Sequence, residues 1–242
     1  MPTTNQTEGH TLKSFDQELQ HLSSLIVQMG GAAEAQVRAA VQAVARRDPD
    51  LAAKVMEGDA RIDGYQEQVD AQTVRMLALR QPVASDLREI LAALKIAGDL
   101  ERIGDYAKNI AKRSISLSQT EVVKPVSGIV RMGDLVMSAL ADVVVAYVEQ
   151  DVEKALSAWR RDVELDELYT SVFREMLTYM MEDSRSITPC IHLLFIAKNL
   201  ERIGDHATNV AETVHFHKVG RPPEGARPKG DESSFVTGAA GD

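Results

Sequence analysis

The sequence has little of what several common protein classes need. It contains one cysteine, Cys190, in 242 residues, which excludes an internal disulfide framework and a cysteine-based metal site. Its aromatic fraction is 5%, and β-type alternation of apolar and polar residues is absent. No segment reaches the roughly 18 uninterrupted apolar residues of a membrane span, and the polar N-terminus lacks a signal-peptide core. We therefore expect a soluble, cytoplasmic protein without membrane insertion.

Basic residues are also in deficit. There are 27 lysines and arginines against 36 aspartates and glutamates, so the formal net charge is -9 at pH 7. Proteins that bind nucleic acid normally carry a basic face, so we expect no nucleic-acid partner. The glycine pattern of a nucleotide-binding loop is missing, and no Ser/His/Asp set typical of a hydrolase is discernible. The composition therefore disfavours nucleotide binding and hydrolysis.

Proline and glycine are scarce, with 8 and 15 residues respectively, and many of them lie beyond Val219. Residues 219–242 show no apolar periodicity, which predicts a disordered C-terminal tail. Residues 1–10 are predicted to be a flexible N-terminus. Between these ends the chain is rich in good helix formers, so the predicted fold class is all-α.

The most informative pattern is an internal repeat. Residues 96–111, IAGDLERIGDYAKNIA, match residues 196–211, IAKNLERIGDHATNVA, at an offset of 100, with eleven of the 16 positions identical. A match of this length inside one chain indicates duplication rather than chance. We therefore predict two related halves, residues 11–120 and 125–218, with Pro125 at their junction.

Apolar periodicity and helix stop signals divide each half into three helices. The first half is predicted to contain helices at about Thr11–Arg46, Pro49–Arg80 and Ser85–Leu117. The second half is predicted to contain them at about Ser127–Val148, Asp151–Met181 and Pro189–Lys218. The predicted N-cap residues include Asp48, Ser85 and Thr188. Long helices joined by short turns pack as antiparallel neighbours. The predicted architecture is two tandem antiparallel three-helix bundles, related by internal duplication and a pseudo-twofold axis.

The third helix of each half carries a row of oxygen-bearing side chains beside its apolar face. Glu101, Asp105 and Asn109 fall at about 100°, 140° and 180° from Leu100 on a helical wheel. The equivalents in the second half are Glu201, Asp205 and Asn209. At Gly104, between the two acids, a better helix former would be about 1 kcal/mol more stable. We therefore expect another group to approach the backbone there.

The second helix of each half carries an acid pair at the same i, i+4 spacing. The pair is Asp59 and Asp63 in the first half and Asp162 and Asp166 in the second, at an offset of 103 because of a three-residue slippage. Acids at this spacing repel each other by a few tenths of a kcal/mol. A hard cation removes that repulsion, since Mg²⁺, Mn²⁺, Ca²⁺ and iron accept carboxylate and amide oxygens. The residues predict a metal site in each half, and the scarcity of nearby histidine disfavours zinc.

The repeated residues resemble a known family. Leu100–Asp105 and Leu200–Asp205, which both read LERIGD, resemble the twin signature of the PhoU family. Residues 55–59 (VMEGD) and 180–185 (MMEDSR) are also similar to that family. The similarity extends from about Phe15 to Lys218, which is nearly the whole predicted helical body.

This resemblance implies a cytoplasmic, usually dimeric, negative regulator of phosphate uptake and phosphate-starvation signalling. The implied partners are the ATP-binding subunit of the phosphate ABC transporter and the phosphate-responsive sensor histidine kinase, which is held off when phosphate is plentiful. The resemblance also implies multinuclear clusters of divalent or ferric ions, such as iron, manganese or magnesium. Carried onto this chain, the metal positions are Glu101, Asp105, Glu201 and Asp205, with Asp59, Asp63, Asp162 and Asp166 as companions and Asn109 and Asn209 as further candidates.

One alternative is a carboxylate-bridged di-iron enzyme, because such bundles also hold metal with acids on helices. They use a Glu-x-x-His pair on each of two helices in the bundle core. Glu18 with His21 and Glu212 with His215 have this spacing, but they lie at the start of the first helix and the end of the last. We therefore expect no catalytic residues and a protein that is not an enzyme.

A second alternative is a metal-independent helical scaffold that binds partner proteins. In that case Arg102 and Arg202 would neutralise the acidic rows as salt bridges, and the acids would serve solubility. His206, which replaces Tyr106 of the first copy, is expected to be a surface residue beside Asp205. The residues alone leave this alternative open.

Overall fold

Helices make up almost all of the described structure. The computed structural model describes residues 5–120, 126–225, 227 and 230; Pro125 and most of the predicted tail lie outside them. The helices are α1 (Asn5–Arg46), α2 (Pro49–Arg80), α3 (Ala84–Ser118), α4 (Val126–Glu149), α5 (Val152–Glu182) and α6 (Ile187–Val219), with a short 3-10 turn at Ser184–Ser186. No strand occurs in these ranges, so the all-α class is confirmed. None of the described helices is long and apolar enough to cross a membrane.

Capping side chains set the starts of the two edge helices. Asp48 precedes α2, and its carboxylate accepts a hydrogen bond from the Leu51 amide at 2.9 Å. Asp151 precedes α5 and accepts from the Lys154 amide at 3.0 Å. Such a cap satisfies an amide that has no partner within the helix, and it stabilises a helix by about 1 kcal/mol. The predicted cap at Asp48 and the predicted bounds Pro49–Arg80 of α2 are therefore confirmed.

The starts of α1 and α3 differ from the predictions. α1 begins at Asn5 rather than near Thr11, so residues 5–10, predicted to be flexible, are helical. α3 follows Val83, which makes no side-chain cap hydrogen bond, and Ser85 lies inside the helix rather than at its cap. Because Val83 has no side-chain acceptor for the first helical amides, the sequence carries no cap signal at the true boundary.

α6 also begins earlier than predicted. It follows Ser186 of the 3-10 turn and starts at Ile187, so Thr188 and Pro189 lie in its first turn. Proline is tolerated there because an amide in the first turn has no partner within the helix. The Thr-Pro pair therefore marks this start to within one turn but not to the residue.

The six helices form two three-helix bundles with a shared core. α1, α2 and α3 contact one another, as do α4, α5 and α6, and the halves meet through α3 against α6 and α1 against α4. Within the described ranges α2 and α5 contact only their own half, so each forms an outer edge. One buried apolar cluster includes residues from all six helices. The predicted tandem bundles are confirmed, and the two bundles share one core.

The contact between the halves reflects the duplication. Along α3 and α6 the contacts run in antiparallel order, since Asp99 meets His206 while Arg113 lies over the ring of Phe195. The equivalent residues Tyr106 and His206 face each other with ring centroids 5.6 Å apart. This arrangement fits a pseudo-twofold axis that crosses the α3–α6 pair.

The predicted core face of the repeated helix is fully buried in both copies. In α3 its members are Ile96, Leu100, Ile103, Ala107 and Ile110, and in α6 they are Ile196, Leu200, Ile203, Ala207 and Val210. A fully buried Leu or Ile side chain stabilises a fold by roughly 1.5–3 kcal/mol relative to an exposed one. This burial fixes the rotation of α3 and α6, and with it the direction in which each acidic row points.

Candidate metal centres

The acidic rows of α2 and α3 meet where these helices pack. We call Asp59, Asp63, Glu101 and Asp105 the first acidic stripe. A Cβ atom built on Gly104 of α3 would lie 3.5 Å from Oδ1 of Asp59. Arg102 lies near the carboxylates of both Glu101 and Asp105, and the charges of Asp59 and Asp105 both raise the pKa of Asp63. The structure thus brings the four predicted carboxylates of the first half into one patch.

Crowding makes the charged form of these acids unfavourable. Burial raises the pKa of Asp63, and the charges of Asp59 and Asp105 raise it further, against the opposing effect of Lys108. Burial likewise raises the pKa of Glu101, with the charge of Asp105 the next cause. Acids held with raised pKa values beside like charges are typical of sites that take up a proton or a cation.

Two further side chains contact Asp59, the buried acid of the first stripe. They are a lysine and a glutamine, and neither was predicted from the sequence. Lys108 of α3 donates to Oδ2 of Asp59, whose side chain is 5% exposed. Gln36 of α1 donates to Oδ1 of the same carboxylate at 3.2 Å and to the Gly104 carbonyl at 3.4 Å. Asp59 of α2 therefore has partners on both of its oxygens, drawn from the other two helices of its half.

The arginines of the repeat behave differently in the two halves. Arg102 lies 3.5 Å from Glu101 and 3.2 Å from Asp105, as expected for a neutralising salt bridge. Its side chain is 59% exposed, and exposed pairs of this kind contribute at most about 1 kcal/mol. Arg202 instead lies over the ring of Tyr106 at 5.8 Å. Arg102 therefore pairs with the acidic row of the first half, as expected. Arg202 instead contacts an aromatic ring of the other half.

A second patch of four carboxylates forms between α5 and α6. We call Asp162, Asp166, Glu201 and Asp205 the second acidic stripe. A Cβ atom on Gly204 would lie 3.5 Å from Oδ1 of Asp162, the same distance as in the first half. This equivalence confirms the predicted offset of 103 between the edge helices. Asp162, Asp166 and Glu201 are all buried, whereas Asp63, the counterpart of Asp166, is exposed.

Gly104 and Gly204 permit the close approach of the edge helices. A Cβ atom at Gly104 would lie 2.9 Å from Cδ1 of Ile62, and one at Gly204 would lie 2.2 Å from Cδ2 of Leu165. The group that approaches the backbone of α3 or α6 is therefore a buried aliphatic side chain of the edge helix. One turn before it, the same edge helix presents its buried aspartate to the stripe.

Glu201 combines burial with an unsatisfied oxygen. Lys198 lies 2.9 Å from its Oε1 atom, while Oε2 is buried without a hydrogen-bond partner. Burial raises the pKa of Glu201; Lys198 opposes this, and the charges of Asp205 and Asp166 add to it. A buried oxygen without a partner costs about 1–3 kcal/mol, so this atom is where a cation would be most stabilising.

A residue from the predicted tail provides the main cation of the second stripe. Arg227 donates to Oδ2 of Asp162 at 2.8 Å and to Oδ1 of Asp205 at 2.6 Å. The backbone amide of Gly230 donates to Oδ2 of Asp166 at 2.9 Å. Two residues of the predicted C-terminal tail therefore contact carboxylates of the second stripe.

The donor chemistry of both stripes fits a hard cation, but the present side-chain positions do not form a closed site. Each stripe offers carboxylates from two helices, which is the oxygen-only ligand set that Mg²⁺, Mn²⁺ and iron accept. In the part of the chain that is described, no three His, Cys, Asp or Glu side chains converge tightly enough to hold a metal ion. Lysine and arginine groups lie among the carboxylates instead. Metal binding would require these basic groups to move away.

The two asparagines are not brought into the stripes. The Asn209 amide donates to Asp99 of α3 at 3.2 Å, and Asn109 is exposed. Nδ1 of His206 lies 2.7 Å from the same Asp99 carboxylate. The structure therefore places Asn209 and His206 in the contact between the halves, which corrects the expectation of a surface histidine beside Asp205. No periodic pattern in the sequence indicates a partner in the other half.

The Glu-x-x-His pairs of the di-iron alternative are engaged elsewhere. Glu18 forms a salt bridge with Arg80 at 2.8 Å. Glu212 accepts a hydrogen bond from the indole of Trp159 at 2.9 Å, and His215 contacts the carbonyl of Arg221 at 2.9 Å. These contacts join the ends of helices to neighbouring segments. They do not bring the two Glu-x-x-His pairs together as the ligands of a di-iron site.

Comparison with known proteins identifies the family. A sequence model of the PhoU domain matches residues 26–114 and 129–214, one match in each half. The chain belongs to the PhoU family. The phosphate-specific transport system accessory protein PhoU homolog of Caulobacter vibrioides is 51% identical over 92% of this chain and 97% of its own length. The homolog of the same name from Rhizobium meliloti is 46% identical, over 95% and 98% of the two chains.

Solved PhoU structures share the fold. The crystal structure of PhoU from Pseudomonas aeruginosa has a TM-score of 0.83 and 39% identity, and the match covers 86% of this chain and 100% of that one. The phosphate transport system regulatory protein PhoU from Streptococcus pneumoniae has a TM-score of 0.81 and 30% identity, with coverage of 87% and 99%. The resemblance read from the two LERIGD segments is confirmed.

The glycine in each acidic row provides a test of the packing. We expect Gly204→Ala to lower the free energy of unfolding by about 1–2 kcal/mol, because overpacking against Leu165 exceeds the helix-propensity gain. Gly98→Ala is the matched control, since a Cβ there meets nothing within 4 Å; it should raise stability by about 0.5–1 kcal/mol. Urea denaturation measures both, and a Gly204→Ala protein more stable than wild type would contradict the packing.

The buried glutamate of the second stripe predicts a pH dependence in metal-free protein. Because the native state raises the pKa of Glu201 above the ordinary value of 4.5, native protein binds this proton more tightly than unfolded protein. The contribution of Glu201 to stability therefore falls as pH rises through the raised pKa. Glu201→Gln removes this loss. The free energy of unfolding of the variant minus that of wild type should therefore increase from pH 4 to pH 8.

Urea denaturation of chelator-treated protein at several pH values measures this difference. Glu34→Gln is the control, because Glu34 is a surface residue paired with Arg38 on the same helix. The difference in free energy of unfolding between this variant and wild type should not change with pH. A Glu201→Gln difference that is also flat would show that burial does not disfavour the charge.

Proposed function

We propose that this chain is a cytoplasmic negative regulator of phosphate uptake and phosphate-starvation signalling. The observation that carries this proposal is the family match, which spans both halves of the fold. Relatives that cover nearly the whole chain are named phosphate-specific transport system accessory proteins, and the solved relative from Streptococcus pneumoniae is named a regulatory protein. An accessory role of this kind requires contact with other proteins rather than turnover of a substrate.

The site chemistry supports binding without catalysis. The polar clusters at the helix contacts consist of carboxylates already engaged by basic groups, as in the pairs of Asp59 with Lys108 and of Asp162 with Arg227. A general acid–base or nucleophilic mechanism needs a reactive group in reach of a substrate. The sole cysteine, Cys190, is fully buried, and burial raises the pKa of its thiol. Neither it nor the stripes offer an activated nucleophile.

The proposed partners are the ATP-binding subunit of the phosphate ABC transporter and the phosphate-responsive sensor histidine kinase, and the proposed assembly is a homodimer. The net charge of -9 favours basic partner surfaces, because complementary charge speeds encounter and makes it sensitive to salt. Holding the kinase off when phosphate is plentiful would account for negative regulation.

We further propose that divalent or ferric ions support this binding. In the first stripe Asp59, Asp63, Glu101 and Asp105 would hold the cation, and in the second Asp162, Asp166, Glu201 and Asp205. A bound cation would supply positive charge that now comes from lysine and arginine side chains. The metal-independent scaffold remains the competing proposal, because those basic groups already neutralise much of each stripe.

Gene deletion tests the regulatory role. Without the protein, a phosphate-starvation reporter should be expressed constitutively during phosphate-rich growth, because the kinase is no longer held off. Wild-type protein supplied in trans should restore repression. Normal repression in the deletion strain would contradict the proposed function, whatever the metal content of the protein.

Metal content tests the proposed cofactor. Tag-free Glu101→Ala/Asp105→Ala protein, equilibrated with Mn²⁺ and desalted, should hold fewer manganese ions per chain than wild type by elemental analysis. Removing two of four carboxylates strips a hard-cation site of half its charged ligands. Glu34→Ala is the control, since Glu34 is not a member of the stripe and pairs with Arg38 on its own helix, and the metal content of this variant should be unchanged. Wild-type content in the double variant would show that the first stripe is not a metal site.

A further inference from the structure

The chain reverses direction after α6 and runs back along it. α6 ends at Val219 and is followed by Gly220, which has a φ of 81° in the left-handed region and donates its amide to the Phe216 carbonyl at 2.8 Å. His215, a buried side chain, contacts the carbonyl of Arg221 at 2.9 Å just beyond this turn. The end of the helix is therefore built to turn the chain back rather than to release it into solvent.

The chain after α6 is long enough for Arg227 to reach the second stripe. From Val219 back to Asp205 along α6 is about 21 Å at about 1.5 Å per residue. The seven steps from Gly220 to Arg227 span at most about 25 Å when fully extended. The contact is made by the guanidinium group, so the length of the arginine side chain adds to this reach and the chain is long enough to place Arg227 on Asp162 and Asp205.

Arg227 fills the space between the two helices of the stripe. Its Nε and Nη2 atoms both donate to Oδ2 of Asp162 on α5, at 3.2 and 2.8 Å, while Nη2 also donates to Oδ1 of Asp205 on α6. Its side chain is 19% exposed, and that of Asp162 is 5% exposed. Charge-assisted hydrogen bonds to partly buried carboxylates are about twice as strong as neutral ones.

Gly230 extends the contact along α5. Its amide donates to Oδ2 of Asp166 at 2.9 Å. A Cβ atom at this position would lie 3.1 Å from both Cγ2 and the carbonyl oxygen of Val163, which is closer than ordinary van der Waals contact. The backbone therefore lies against the helix at a place where a side chain would not fit easily, so two residues of the segment make specific contacts.

The duplication explains why the second stripe uses a cation from outside its bundle. In the first stripe Lys108 of α3 engages Asp59 directly. The equivalent position in α6 is Thr208, which has no charge to offer Asp162. Arg227 is thus the counterpart of Lys108, but it lies beyond the end of α6 rather than on a helix of the bundle.

We propose that the C-terminal segment is an intramolecular ligand of the second acidic stripe, and that its docking through Arg227 and cation binding by Asp162 and Asp205 exclude each other. The guanidinium bonds to carboxylate oxygens that a cation would need, so a cation entering this stripe must release the segment. In the described ranges, the basic group that engages the buried aspartate of the first stripe is Lys108, which is part of α3 itself. The exclusion rests on the proposed metal binding, whereas the docking itself does not.

Two measurements on the full-length protein test this proposal. Hydrogen–deuterium exchange of the C-terminal peptide reports docking through the Gly230 amide, and isothermal titration with Mn²⁺ reports cation binding. The test variant is Arg227→Gln. The matched control is Arg221→Gln, since Arg221 lies in the same segment but is 67% exposed and pairs with Glu224. Circular dichroism checks that each variant keeps its helix content.

Docking predicts that the Gly230 amide of wild type exchanges at least tenfold more slowly than in Arg227→Gln. Mutual exclusion predicts that Mn²⁺ speeds this exchange in wild type, and that Arg227→Gln binds Mn²⁺ at one class of site about tenfold more tightly. Arg221→Gln should match wild type in both measurements. Asp162→Asn should release the segment without any metal, because it removes the main acceptor of Arg227.

The opposing outcomes separate this inference from the proposed cofactor. Equal Mn²⁺ affinity in wild type and Arg227→Gln, with exchange unaffected by Mn²⁺, would overturn mutual exclusion and leave metal binding intact. Unprotected Gly230 in metal-free wild type would overturn docking. Failure of every variant to bind Mn²⁺ would overturn the metal proposal and the exclusion together, while slow exchange that depends on Arg227 would still support docking.

Discussion

The repulsion among carboxylates crowded between two packed helices governs the chemistry of this protein. In each half an edge helix packs closely against a glycine of the inner helix, and that contact carries a buried aspartate, Asp59 or Asp162, to the acids of the neighbouring helix. Four negative groups in one patch cannot remain uncompensated away from water. Every other feature of the two stripes, from Lys108 to Arg227, responds to that constraint.

The two halves meet the same constraint in different ways. The first uses Lys108 and Gln36 from its own helices. The second has Thr208 in place of that lysine and relies on Lys198 and on Arg227 from beyond α6. Duplication therefore preserved the acids and the glycine, while the source of the positive charge diverged. Two sites that look alike in sequence therefore differ in the part of the chain that supplies their counter-charge.

The helices and the acidic rows could be predicted because their signals are local or periodic. The repeat around Gly104 and Gly204 predicts the division into two halves. The 3.6-residue period predicts which helix faces are buried and in which direction each acidic row points. Gln36 could not be found this way, since its partner Asp59 lies on another helix and nothing in its surroundings is periodic. The contact of Arg227 with the second stripe could not be predicted either, because the composition of the residues around Arg227 predicts disorder.

Asn209 was predicted to lie in the second acidic row but contacts the other half, and the reason is similar. A helical wheel gives the angle of a residue but not the neighbours that occupy the space at that angle. At the edge of the stripe, Asp99 of the other half is close enough to take the Asn209 amide at 3.2 Å. Contacts between the halves depend on how the bundles dock, which neither half encodes alone.

The shared core limits what kind of motion this protein can use. Since α3 packs along α6 and α1 along α4 within one apolar cluster, bending one bundle away from the other would expose aliphatic surface to water at about 25 cal/mol per Å². Hinge motion at the pseudo-twofold axis is therefore disfavoured. A change in the ionic state of one stripe would therefore act first on the edge helix and the inner helix of the same half, between which that stripe lies.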